Sequence, residues 1–186
     1  MTTATKSRPR ITPSYIRFVY DIHGKRIDLL VPKFQEVQAQ LFRAQKRDVL
    51  KRLRQNEELR SSEFIFVRQT PGDPLFVPTE WDEMFQRRGR PIMINGVVTS
   101  ANEQIQLFGL GTAFDVSHPQ VQDWVDTRTA FWASRVNETT ANLLTRQISA
   151  AHVAGESIDQ ISRRVEDTFE FSDQVRAQRI ARTEIQ

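Results

Sequence analysis

A chain of 186 residues with 39% hydrophobic content and a formal net charge of +3 is long enough for one domain with a real core. No apolar run approaches the roughly 18–20 residues needed to cross a bilayer, so no membrane anchor is expected, and the first ten residues lack the apolar core of a signal peptide. The absence of cysteine excludes disulfides, thiolate catalysis and sulfur-ligated zinc.

Charge is distributed unevenly. Residues 1–60 hold 14 Lys/Arg against 6 Asp/Glu, whereas residues 61–186 hold 12 against 17. A nucleic acid or another acidic partner would therefore meet the front of the chain, the alternative being an ordinary solvated helix surface.

The first ten residues carry Lys6, Arg8 and Arg10, no acid and no large apolar group beyond Met1, and read as a basic arm. Residues 15–31 alternate loosely around His23-Gly24, which fits a small β-hairpin or a short helix pair. From Lys33 to about Leu59 the pattern is helical. Phe34, Val37, Leu41, Phe42, Val49 and Leu53 share one side, and Arg43, Lys46, Arg47, Lys51 and Arg54 fall on the opposite arc, with Leu50 and Arg52 breaking the separation. Pro71-Gly72-Asp73-Pro74 marks an irregular connection over 61–78, with a short extended piece at 64–67.

Thr79 is placed to cap a helix opening with Glu80, Asp82 and Glu83, and Gly89 to stop it. Asn95-Gly96 between apolar runs is a hairpin signal. Ile94, Val97, Val98, Ala101, Ile105 and Phe108 nevertheless recur at helical spacing, so residues 92–108 are predicted helical, ending at Gly109 or Gly111. Ser117-His-Pro-Gln120 resembles a capping box for a helix through Val121, Trp124, Val125, Phe131 and Trp132. Asn137 is placed to cap the next helix, with Leu144, Ile148 and Ala151, and Gly155 to end it. Ser157-x-x-Gln160 opens a further helix with Ile158, Ile161, Val165 and Phe169, and Ser172-Asp173 opens the last. The expected fold is mainly α: a basic arm or hairpin over 1–32, then an irregular helical array over 33–186.

No catalytic constellation emerges. His23, His118 and His152 show no metal-binding spacing, no Gly-x-Ser-x-Gly occurs, and Gly109-Leu-Gly111 lacks a third glycine and a preceding strand. Neither catalytic nor metal residues are assigned, and no cofactor or small-molecule substrate is expected.

The C-terminal string Arg176-Ala177-x-x-Ile180-Ala181-Arg182-Thr183-Glu184 resembles the hallmark of the phage Mu F-like minor head proteins. Further pieces similar to that family occur in order: Phe34…Gln38…Leu41…Gln45…Val49-Leu50…Leu53, then Leu75-Phe76…Trp81, then Phe114-Asp-Val…Pro119-Gln-Val. Val136-Asn137-x-Thr139-Thr140…Leu144 and Gly155-Glu-Ser-Ile158 complete the set, so the resemblance spans about residues 33–186. It implies a structural head protein of a tailed bacteriophage, associated with the portal vertex and acting in capsid assembly and in DNA packaging or ejection. Its implied partners are portal and capsid proteins and genomic DNA. Its implied location is the virion head, with assembly in the host cytoplasm. The family continues past the glutamate with a small-residue helix, which implies a native chain extending beyond Gln186. The family also occurs fused to portal or toxin domains, and their absence here implies a stand-alone head protein. Competing readings are a sequence-independent nucleic-acid-binding protein using the basic helix at 43–54, and an enzyme domain missing its partner module.

On a helix, Ala177, Ile180, Ala181 and Glu184 form one stripe whose small residues admit a close neighbour. Glu184 then needs a cation, and Arg128 is the candidate because it interrupts the apolar stripe of its own helix. The alternative is an exposed Glu184 at a frayed end.

Overall fold

The computed structural model describes residues 13–55 and 75–185, and among these no strand occurs. The chain forms α1 (Pro13–Gln55), α2 (Pro78–Leu107), α3 (Pro119–Val153), α4 (Ile158–Phe171), a π-turn at Ser172–Arg176, and α5 (Ala177–Ile185). Four legs result, because α4, the π-turn and α5 follow one another without a break. Residue pairings run α1 antiparallel to α2 (Arg52 with Glu80) and α2 antiparallel to α3 (Arg90 with Asp126). The fourth leg fills the space between α3 and α1, so the legs form a bundle in which α1 and α3 are diagonal.

Four large rings hold the centre. Phe34 and Phe85 lie 5.0 and 5.4 Å from Trp132, ring centre to ring centre, and Phe42 lies 6.1 Å from Phe85. All four are buried, and they join α1, α2 and α3. Tilted and edge-on packing of this kind adds to the gain from burying the rings.

The helices over 92–108 and 158–171 stand as expected, as do the stop at Gly155 (φ +66°) and the reciprocal Ser157–Gln160 capping box. The end of α2 also agrees, with Gly109 in the left-handed region at φ +60°.

Several boundaries differ from the sequence expectation. Residues 15–31 are neither a hairpin nor a helix pair, because α1 is one helix from Pro13, with Pro32 inside it. Loose alternation around a single glycine gave no real strand period, and one proline removes only one backbone bond from a helix of 43 residues. The expected division at 32/33 thus falls inside α1. Thr79 does not cap α2; the cap is Val77 without a side-chain bond, and Pro78 supplies the pre-set first turn.

Gly89 does not stop α2. It lies buried within the helix because a Cβ there would overlap the Trp132 ring, so the glycine marks a close approach of α3. Ser117 is not the cap of α3 either: its hydroxyl and amide both bond to Asp115, and His118 Nδ1 accepts from the Gln120 amide at 3.3 Å. Asn137 starts no helix and sits buried in the middle of α3. Ser172 and Asp173 open no separate helix, since the backbone passes through them as the π-turn, one extra residue within a continuous leg. The arm with Lys6, Arg8 and Arg10, the segment 64–67 and Leu59 lie outside the described residues.

Candidate functional site

The C-terminal string forms the inner side of the fourth leg. Ala177 and Ala181 are fully buried in the main core, and Ile180 packs against it. Small side chains at i and i+4 let α5 lie close on α1. The exposed members are Arg182 and Thr183, whose hydroxyl donates to the Arg179 carbonyl at 3.0 Å.

The two charged ends of the string reach α3. Glu184, whose side chain is 12% exposed, places Oε2 2.8 Å from Arg128 Nη2. This is an ion pair without hydrogen-bond alignment. At the other end Arg176 is buried. Its Nη1 donates to Ser172 Oγ at 3.0 Å and Thr140 Oγ1 at 3.3 Å, and its Nη2 donates to the Val136 carbonyl at 3.3 Å. The guanidinium also lies over the Phe42 ring, 5.2 Å from its centre. No carboxylate pairs with it among the described residues, and burial pushes its pKa down to about 10.

Arg176 therefore costs stability as well as contributing to it. The folded state binds this proton less tightly than the unfolded chain does, so the penalty is present at all pH values below about 10. It lifts only as pH rises from there toward the ordinary guanidinium value. Substitution by methionine removes the buried charge while nearly keeping the volume. The former acceptors retain bonds of their own: Thr140 to the Val136 carbonyl and Ser172 to the Thr168 carbonyl. Arg176→Met is accordingly expected to hold stability within about 1 kcal/mol or to raise it, measured by urea unfolding. A loss above about 2 kcal/mol would mean that the guanidinium's bonds outweigh its desolvation.

The basic arc on α1 is partly engaged. Arg43 lies 3.3 Å from Glu36 and 3.5 Å from Asp173 at the π-turn, so one of the five cations ties α1 to the fourth leg. Lys46 is half-buried, while Arg47, Lys51 and Arg54 are exposed, and none of these four has an ion pair among the described residues. The five do not converge with Arg128 and Glu184.

Sequence reasoning missed a buried polar relay. Gln45 Nε2 donates to Asn137 Oδ1 at 2.8 Å, and Asn137 Nδ2 donates to Asp82 Oδ1 at 2.7 Å, so α1, α3 and α2 are joined through one amide. The carboxylate can only accept, which fixes the amide of Asn137 and through it that of Gln45. Exposure of Trp124 and Phe131 was missed as well. Both lie beside buried neighbours, Val125 and Trp132, and adjacent helical residues cannot all face inward.

His118 caps α3 and His152 is exposed in its last turn, and no group of acids and histidines fit to hold a metal occurs among the described residues. No described helix is long and apolar enough to cross a membrane. Comparison with family models, curated proteins and solved structures found no match to the chain.

Proposed function

We propose that the protein is a structural minor head protein of a tailed bacteriophage, associated with the portal vertex, and that it acts in capsid assembly through contacts rather than catalysis. The observation carrying this reading is the ordered set of family-like segments closing on Arg176-Ala177-x-x-Ile180-Ala181-Arg182-Thr183-Glu184. It is supported by where those residues sit. Ala177 and Ala181 seat the leg, Arg176 and Glu184 bridge to α3, and Gln45 and Asn137, two other family-like positions, bond to each other. On this reading the string is architectural, and the partner surface lies elsewhere on the molecule. Its location would be the virion head near the portal, after assembly in the host cytoplasm.

A second reading, sequence-independent DNA binding, is favoured by Lys46, Arg47, Lys51 and Arg54, which project from one arc without carboxylate partners among the described residues. Such an arc would follow phosphates in a salt-dependent way.

One set of measurements addresses both. The full chain, expressed during phage infection, is expected to co-purify with portal or procapsid components; recovery without any head protein would overturn the first reading. Replacing Arg43, Lys46, Arg47, Lys51 and Arg54 by glutamine leaves Phe34, Leu41 and Leu53 in place and should keep the fold. If the arc binds duplex DNA, the salt slope of the wild type should fall in magnitude by about 0.9 per lost phosphate contact. Undetectable duplex binding by the wild type at low salt would remove the second reading.

A further inference from the structure

Between α1 and α2 lies an open groove of about 290 Å³. From α1 it takes Val37, Leu41 and Ala44, one stripe at spacings of four and three, and α2 adds Met84. Leu41 is buried and the other three are half-buried, so these side chains form the floor. Arg43 and Arg47, one turn apart on α1, and Arg88, one turn beyond Met84 on α2, are exposed and form the rim.

Charge is one-sided here. Among the described residues no carboxylate lines the groove. Arg43 is shared between Glu36 and Asp173, but Arg47 and Arg88 have no ion pair among the described residues. Cations on both walls of a hollow repel each other and concentrate their field on any anion that enters.

The floor decides the kind of anion. A phosphate backbone has no apolar group to place on Leu41 and Met84, and no aromatic ring lines the groove to stack a base. The volume falls just below the roughly 300 Å³ at which small-ligand pockets begin, which suits one or two side chains presented by a partner's surface. Methionine adapts its shape to apolar guests, and arginine grips carboxylates through paired bonds. The matching occupant is a protein segment in which carboxylates flank an apolar side chain.

We infer that this groove docks an acidic segment of a partner protein. An apolar side chain of that segment rests on Leu41 and Met84 while its carboxylates meet Arg47 and Arg88. The inference rests on the reading of a protein that acts through contacts, and it names the chemistry of the partner. Peptide binding by the purified chain involves no phage protein, so its outcome is separate from co-purification with portal or procapsid.

Fluorescence polarisation tests it, the probe being a short labelled peptide rich in glutamate with one central leucine. In ~0.1 M salt the purified full chain should bind it saturably, with a Kd of about 10–100 μM. Changing the leucine to serine, or the glutamates to glutamine, should weaken binding roughly tenfold or more. Arg47→Glu with Arg88→Glu, both on the surface, should weaken it at least as much and leave Tm unchanged. That variant should bind instead the peptide carrying lysine in place of glutamate. Arg54→Glu lies about 10 Å further along α1, near the screening length at this salt, and should change binding less than about twofold. Absence of binding, equal binding of the leucine-free peptide, or an equal loss in Arg54→Glu would overturn the inference. So would a short DNA duplex that binds more tightly than the peptide and depends on Arg47 and Arg88, since the groove would then take phosphates.

Discussion

Trp132→Ala is expected to be the most damaging single truncation in this molecule, lowering stability by about 3–5 kcal/mol. The ring is buried, touches Phe34 on α1 and Phe85 on α2, and fills the place that Gly89 leaves open. Truncation would leave three helices facing one cavity, with a glycine on one wall that cannot relax inward. Chemical unfolding followed by circular dichroism measures the loss. The complementary change, Gly89→Val, places a branched side chain where a single Cβ already overlaps the ring, and should destabilise by a comparable route through overpacking. If both variants melt within a degree or two of the wild type, Trp132 does not organise the core.

The second large effect is expected at Asn137. Asn137→Leu is close in volume but removes the only acceptor of the Gln45 amide among the described residues and one donor to Asp82. Gln45 is fully buried, and its Oε1 already lacks a partner, so the whole side chain would be left without a hydrogen bond. A buried amide left unpaired costs about 1–3 kcal/mol, and the weakened environment of Asp82 adds to it, giving a loss of about 2–4 kcal/mol. Gln45→Leu combined with Asn137→Leu removes both ends of the bond and should recover part of that loss. A double variant no more stable than Asn137→Leu alone would show that the relay is not the cause.

The contrast between these residues and the correctly read ones explains what the sequence made legible. Gly155 and the Ser157–Gln160 box act within four residues, so their chemistry is written where it operates. Gly89 and Asn137 carry the same residue types as stops and caps, but they answer to partners far away in the chain: Trp132 for the glycine, and Gln45, 92 residues off, for the amide. A local rule therefore assigned both to boundaries that do not exist. The Arg128–Glu184 pairing was reachable because a small-residue stripe brings the glutamate to a seam and one arginine interrupts a neighbouring apolar face. Arg176 was not legible as a buried cation, since its inward direction depends on the π-turn, which no short-range pattern announces.

That turn also fixes the phase of the final leg. An α-helix advances about 100° per residue, so the one residue added between Ser172 and Arg176 rotates α5 by about that much relative to a straight continuation of α4. The rotation is what brings Ala177 and Ala181 onto α1 while Val165 and Phe169 stay in the core. Spacing between Phe169 and Ala177 is thus as much a part of the terminal string as its letters. A chain of the same length that ran as plain α-helix through 172–176 would present Ile180 and Thr183 toward the seam instead and turn Ala181 away from it.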